Sequence, residues 1–237
     1  MNVLNSNLHG LEPSATLAIN ERSKALIESG RSIYKLGLGQ SPFPVPRSIE
    51  QALKSNAHQK DYLQVQGHAP LRELISQWHS RRQIHRTTER HVVIGPGSKE
   101  LLFLIQLVSG RRLTLPNPSW VSYGPQAQIL GRGWDWIDTE RGSGWRIDAA
   151  QLKSLCERDP YVPRLLILNY PNNPTGLTYT SAELEGIAAV AKAHDVIVVS
   201  DEIYGELNYL GQHKSIADYY PEGTIICSGL SKWCGAG

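Results

Sequence analysis

From residue 91 onward the sequence alternates short apolar runs with amphipathic helical segments, and this alternation constrains the fold more than any other feature. The runs HVVIG (91–95), RRLTL (111–115), GWDWID (133–138), PRLLILNYP (163–171), VIVVSDEIY (196–204) and EGTIICSG (222–229) read as strands. Between them SKELLFLIQLVSG, NPSWVSYGPQAQILG, DAAQLKSLCER and SAELEGIAAVAKAHD supply helices. Strands separated by helices of this length need crossover connections, so the expected fold class is α/β, with a mostly parallel sheet covered on both faces in three α/β/α layers.

The first part of the chain is less regular. SATLAINERSKALIESGR (14–31) predicts a helix closed by Gly30, and SIYKLGLGQ (32–40) a short strand. SPFPVP (41–46), with three prolines in six residues, reads as a shaped loop, whereas IEQALKSNA and PLRELISQWHSRR read as helices joined through DYLQVQG. The domain division expected is an arm and helix over 1–35 and one large domain over 36–237.

Charge and composition exclude several classes of function. Lys plus Arg number 24 against 22 Asp plus Glu, so no general field draws the chain to nucleic acid or an anionic membrane. The basic run RRQIHRTTERH (81–91) suits the solvated side of a helix end. Three cysteines form no CxxC pair, the N-terminus lacks the charged and apolar regions of a secretory signal, and no apolar run approaches the ~20 residues of a membrane span. A reducing, cytoplasmic setting is the expectation.

Ligands of open α/β sheets bind beyond the carboxyl ends of the strands, so the segments after each run should converge. They are Gly95–Lys99, Pro116–Trp120, Asn169–Gly176, Asp201–Tyr204 and Ser228–Lys232. GPGSK before a helix can hold a phosphate on free amides, although such glycine turns also arise for steric reasons alone. PNNPTG is a rigid turn. Asp201, at the tip of a very apolar strand, needs a cation or hydrogen-bond donors. Lys232 lies among small residues, where partial burial would favour nucleophilic use, while a lysine stem lying on apolar surface is an equal alternative. Together, a phosphate cradle, a stacking aromatic, a fixed asparagine, an Asp and Tyr three apart and a lysine able to form a Schiff base describe a site for pyridoxal 5'-phosphate (PLP).

LGLGQSPFPVP, YLQVQGHAPLREL, GPGSKELLF, PNPSWVSY, NYPNNPTG, SDEIYGEL and SGLSKWCGAG occur in the order found in the class I/II aminotransferases of the aspartate aminotransferase superfamily, fold type I, which the chain resembles from about Leu36 to its last residue. The resemblance implies a transaminase that moves an amino group between an amino acid and a 2-oxo acid, with PLP held on Lys232 as a Schiff base. It implies that Asp201 pairs with the pyridine nitrogen, Asn173 and Tyr204 bond the ring 3-oxygen, and Trp120 stacks on the ring. Gly97, Ser98 and Lys99 are then the phosphate turn, and Gly39, Trp120 and Asn173 lie near the substrate. Tyr62 matches a tyrosine reaching the neighbouring subunit's cofactor, which implies a homodimer. Many relatives carry serine where this chain has Gly229, with serines at 228 and 231 instead. The family pattern continues past the lysine motif to a further strand and a small domain, so the 237 residues are expected to be a C-terminally truncated fragment of low activity. A PLP-dependent lyase or synthase, a noncatalytic PLP-binding module and a nonfunctional remnant remain open at this level.

Overall fold

The computed structural model describes residues 3–37, 39–82, 87–209, 211 and 213–236. Among these residues seven α-helices and five strands follow one another as α1 (Ala15–Glu28), α2 (Arg47–Asn56), α3 (Ala69–Arg82), α4 (Ser98–Val108), β1 (Arg112–Asn117), α5 (Tyr123–Ile129), β2 (Trp134–Asp138), α6 (Ala149–Arg158), β3 (Arg164–Asn169), α7 (Ser181–Ala193), β4 (Ile197–Asp201) and β5 (Thr224–Cys227). The sheet order is β2-β1-β3-β4-β5 and every pairing is parallel. β1 leads outward to β2 on one side and pairs with β3 on the other, so the order reverses between β1 and β3. A crevice at the carboxyl edge is expected at that point.

Local chemistry explains the element ends. α1 stops where Gly30 turns to a φ of 85° and Arg31 N–H bonds back to Leu26 O, a left-handed exit that glycine makes without Cβ strain. α6 and α7 each begin in a reciprocal capping box, Asp148 with Gln151 and Thr180 with Glu183. β3 is buried along its whole length, as a central parallel strand must be, and its LLIL run carries no polar alternation.

Successive residues of the inner strands feed two separate cores. Leu166, Leu168 and Val198 pack with Leu152 and Leu155 of α6 and Leu184 and Ile187 of α7. Leu165, Ile167 and Val199 pack with Leu102 of α4 and Tyr123 and Ala127 of α5. The period of two along each strand thus divides the side chains between layers and yields the three-layer α/β/α architecture.

Two expected strands are absent. Val92 is extended, but the ladder-like bond nearest this run is Ile94 N–H to Gln66 O at 2.9 Å, and Val93 is 57% exposed. The sheet ends at β5, and an apolar run without a neighbouring strand forms no ladder, whatever its composition. SIYKLGLGQ likewise carries no strand in its described residues, and Tyr34 and Leu36 are exposed. In the basic run, Arg82 closes α3, pairs with Glu206 and lies over the Trp78 ring at 3.6 Å, while residues 83–86 lie outside the described ones. Among the described residues no helix is long and apolar enough to cross a membrane.

Candidate active site

The carboxyl ends of the strands bring Asn117 level with Asp138, Asn169 level with Asp201, and Asp201 level with Cys227. Asp201 is the last residue of β4 and faces the α4/α5 layer, where only 3% of it is exposed. Its Oδ2 accepts a 2.6 Å hydrogen bond from the Tyr123 hydroxyl, and its Oδ1 accepts the Ile203 N–H at 3.2 Å. Burial pushes this carboxyl up to about 6, with the Glu202 charge adding to the rise and the two donors opposing it. A carboxylate has about four acceptor positions, so two donors leave room for a further one.

Tyr123 is the functional residue that the sequence pattern does not single out. It sits at the start of α5, almost fully buried, and burial beside Asp201 drives its own hydroxyl well above the ordinary phenol range, so it remains a donor. The available signal is its spacing: three residues after Trp120, on the same turn. The two rings meet edge to face with centroids 5.3 Å apart.

A continuous set of contacts runs outward from this pair. Asn169 Nδ2 donates to the Asp201 carbonyl at 2.9 Å, and Asn169 Oδ1 accepts the Asn173 N–H at 2.7 Å. Asn173 Nδ2 donates to the Tyr204 hydroxyl at 3.3 Å, and burial raises that phenol above its usual value against the Asn173 bond. Lys232 Nζ lies 5.8 Å from the Tyr204 ring centroid and donates to Gly39 O at 3.0 Å, the last contact tying the 36–46 loop to the lysine turn. On the other side Lys99 Nζ stands 5.6 Å from the Trp120 ring centroid.

Gly97 caps α4 with a φ of 108°, and a Cβ built there would meet nothing within 4 Å. The amides of Ser98, Lys99 and Glu100 have no acceptor among the described residues. Three free amides at the start of an 11-residue helix form an anion-binding end. Trp120 and Asn173 come from the loops after β1 and β3, which flank the point where the strand order reverses.

Of the residues singled out in the sequence, Gly39, Gly97, Ser98, Lys99, Trp120, Asn173, Asp201, Tyr204 and Lys232 therefore belong to one edge of the sheet. Tyr62 does not join them: its side chain is fully exposed on the connector before α3. The resulting donor set suits a planar, phosphorylated heterocycle. It offers amides for a dianion, an amine for an aldehyde, two hydrogen-bonding groups for a ring oxygen and a buried carboxylate for a ring nitrogen.

The sequence profile described as "Aminotransferase class I and II" matches residues 31–236. The chain is 36% identical over 233 residues to an aspartate aminotransferase of Geobacillus stearothermophilus, an alignment covering 94% of this chain and 58% of that protein. It is 30% identical over 242 residues to an asparagine–oxo-acid transaminase of Streptococcus mutans, covering 98% of this chain and 61% of that one. The solved aspartate aminotransferase of Thermus thermophilus with maleate superposes with a TM-score of 0.90 at 29% identity, over 99% of this chain and 63% of that structure. The chain thus spans about three fifths of the length of these relatives.

Proposed function

The chain belongs to the class I and II aminotransferase family, and from that premise we propose that its carboxyl-edge cluster is a PLP-dependent transaminase site exchanging an amino group between an amino acid and a 2-oxo acid. The observation that carries this reading is the buried Asp201, linked through Asn169 and Asn173 to the Tyr204 hydroxyl beside Lys232. Few ligands other than a heterocycle with a basic nitrogen and an adjacent oxygen would use a desolvated carboxylate and this Asn–Tyr pair together.

When bound, PLP supplies an electron sink for bond cleavage at the substrate α-carbon. The chain's own residues bind, orient and move protons. The Ser98 and Lys99 amides after Gly97 hold the phosphate, and Asn173 and Tyr204 fix the ring oxygen. Trp120 covers one ring face, and Asp201 keeps the ring nitrogen protonated. Lys232 holds the cofactor through its amine and carries the proton at the substrate α-carbon. Gly39, whose carbonyl accepts a 3.0 Å hydrogen bond from Lys232 Nζ, is assigned to the approach of the substrate carboxylate. Tyr62, free on the surface, is assigned to the cofactor of a second copy in a homodimer. With its cysteines all free, the chain suits a reducing compartment such as the cytoplasm.

Titration with PLP is expected to produce a visible absorbance band, and borohydride reduction followed by peptide mass mapping is expected to place the pyridoxyl mass on Lys232. Lys232→Ala should show neither. A folded chain without the band, or a label on a different lysine, overturns the assignment.

A further inference from the structure

Behind Asp201, facing the α6/α7 layer, the chain holds a second buried carboxylate. Glu202 Oε1 accepts hydrogen bonds from Ser200 Oγ at 2.7 Å and Ser215 Oγ at 2.6 Å, and Oε2 meets His213 Nε2 at 2.9 Å. Its N–H donates to Cys227 O at 2.8 Å. Tyr170 braces this group from below. Its hydroxyl shares a 2.6 Å bond with Ser200 Oγ and accepts the Ile216 N–H at 2.9 Å, and its ring stacks on His213 at 5.4 Å.

Such a carboxylate is costly unless something requires its charge. Burial alone would raise its proton affinity, yet the hydrogen bond and charge of His213, with the Ser215 and Ser200 donors, outweigh burial and hold it below the ordinary carboxylate range. His213 Nδ1 is buried and has no hydrogen-bond partner among the described residues. Glu202 thus holds a hydrogen-bonded, buried carboxylate one residue along the chain from Asp201.

We propose that Glu202 is a positioning residue for the ring nitrogen of PLP: acting through Asp201, its fixed negative charge holds the shared proton on the nitrogen–carboxylate pair. The inference rests on the PLP reading given above. Around Asp201 the other titratable neighbours are Tyr123 of α5, Tyr204, and Cys227 of β5, whose thiol burial pushes well up, so all three stay neutral at pH 8. Glu202 is the one charge among the causes that raise the Asp201 carboxyl, after burial itself. Ser200, in β4, and Glu202 flank Asp201 along the chain and are hydrogen-bonded to each other, which joins the charge to the geometry.

A structural role and an electrostatic one separate when the ring nitrogen is removed from the ligand. Dissociation constants for PLP and for 1-deaza-PLP, in which C–H replaces that nitrogen, are measured at pH 8, above the ordinary range of an imidazole. Glu202→Gln, which keeps the shape and loses the charge, is expected to cut the preference for PLP by about three- to tenfold, an interaction of up to one pKa unit. Binding of the deaza analogue should stay unchanged. Glu202→Asp, which keeps the charge and stretches the hydrogen bonds, should retain the preference. Equal weakening of both ligands by the Gln substitution, or loss of the preference in the Asp variant, overturns the proposal. Should the Gln variant not fold, the Asp variant decides by itself. A wild-type chain that binds neither ligand overturns the PLP reading and this inference with it, an outcome distinct from binding without nitrogen dependence.

Discussion

Asp201 is held in the fold as a buried carboxylate, at a cost in free energy. Its folded carboxyl titrates at about 6, raised first by burial, against about 4 in an unfolded chain. Between these values the folded state holds a proton that the unfolded state has released. Stability of the cofactor-free chain should therefore fall as pH rises through that window and stay reduced above it, by about 3 kcal/mol in all. Asp201→Asn should flatten this dependence and make the cofactor-free chain about 1–3 kcal/mol more stable at pH 8. Urea unfolding at pH 4.5 and pH 8 measures both effects, and a variant no more stable than wild type at pH 8 counts against a buried, uncompensated charge. Tyr123→Phe removes the 2.6 Å donor and should cost about 1–3 kcal/mol at pH 8, and less at pH 5, where Asp201 is protonated; an equal cost at both values would make the bond irrelevant to the charge. Asp201 was legible in the sequence because a carboxylate ends an apolar strand. Tyr123 was not, because its partner lies 78 residues away and its spacing from Trp120 does not by itself separate it from a core aromatic.

At the scale of elements, the helices and the five paired strands were legible because their determinants are local. Asp148 and Thr180 start helices through their own side chains, Gly30 ends one through its own φ, and the LLIL of β3 needs burial on both faces. HVVIG was misread because a strand is a relation between two segments, and the apolar run specifies only one of them. The proposed phosphate turn survives that error, since it depends on the start of α4 and not on a preceding ladder. Gly97 is the residue on which the turn hinges. At a φ of 108°, with open space around the missing Cβ, Gly97→Ala meets no clash and suffers only backbone strain, about 1–2 kcal/mol. Relief of that strain rotates the first amides of α4. The substitution should weaken binding of PLP several-fold more than binding of pyridoxal, which lacks the phosphate. Equal loss for both compounds would remove the phosphate from this turn.

For the whole molecule, the two ends of the sheet differ. Beyond β2 the edge carries Asp135, bound by both Arg112 and Arg164, so charge blunts it. β5 has no such device. Ile225 is 42% exposed on this edge strand, beside a groove of about 360 Å³ lined by Ile105, Val108, Ile197 and Thr224, and Val108 at the end of α4 is 82% exposed. A backbone edge unpaired among the described residues, next to apolar surface, is a template for association. The 237-residue chain is therefore expected to associate as its concentration rises, with the β5 edge as the contact. Ile225→Lys places a charge in the middle of that edge while leaving the sheet's buried faces intact, so it should shift sedimentation toward the monomer and leave thermal stability within about 1 kcal/mol. Association that persists unchanged in the Lys variant would assign the contact to a different surface. A wild-type chain that stays monomeric at all concentrations would mean that the alternating exposure of β5 is too short to template pairing.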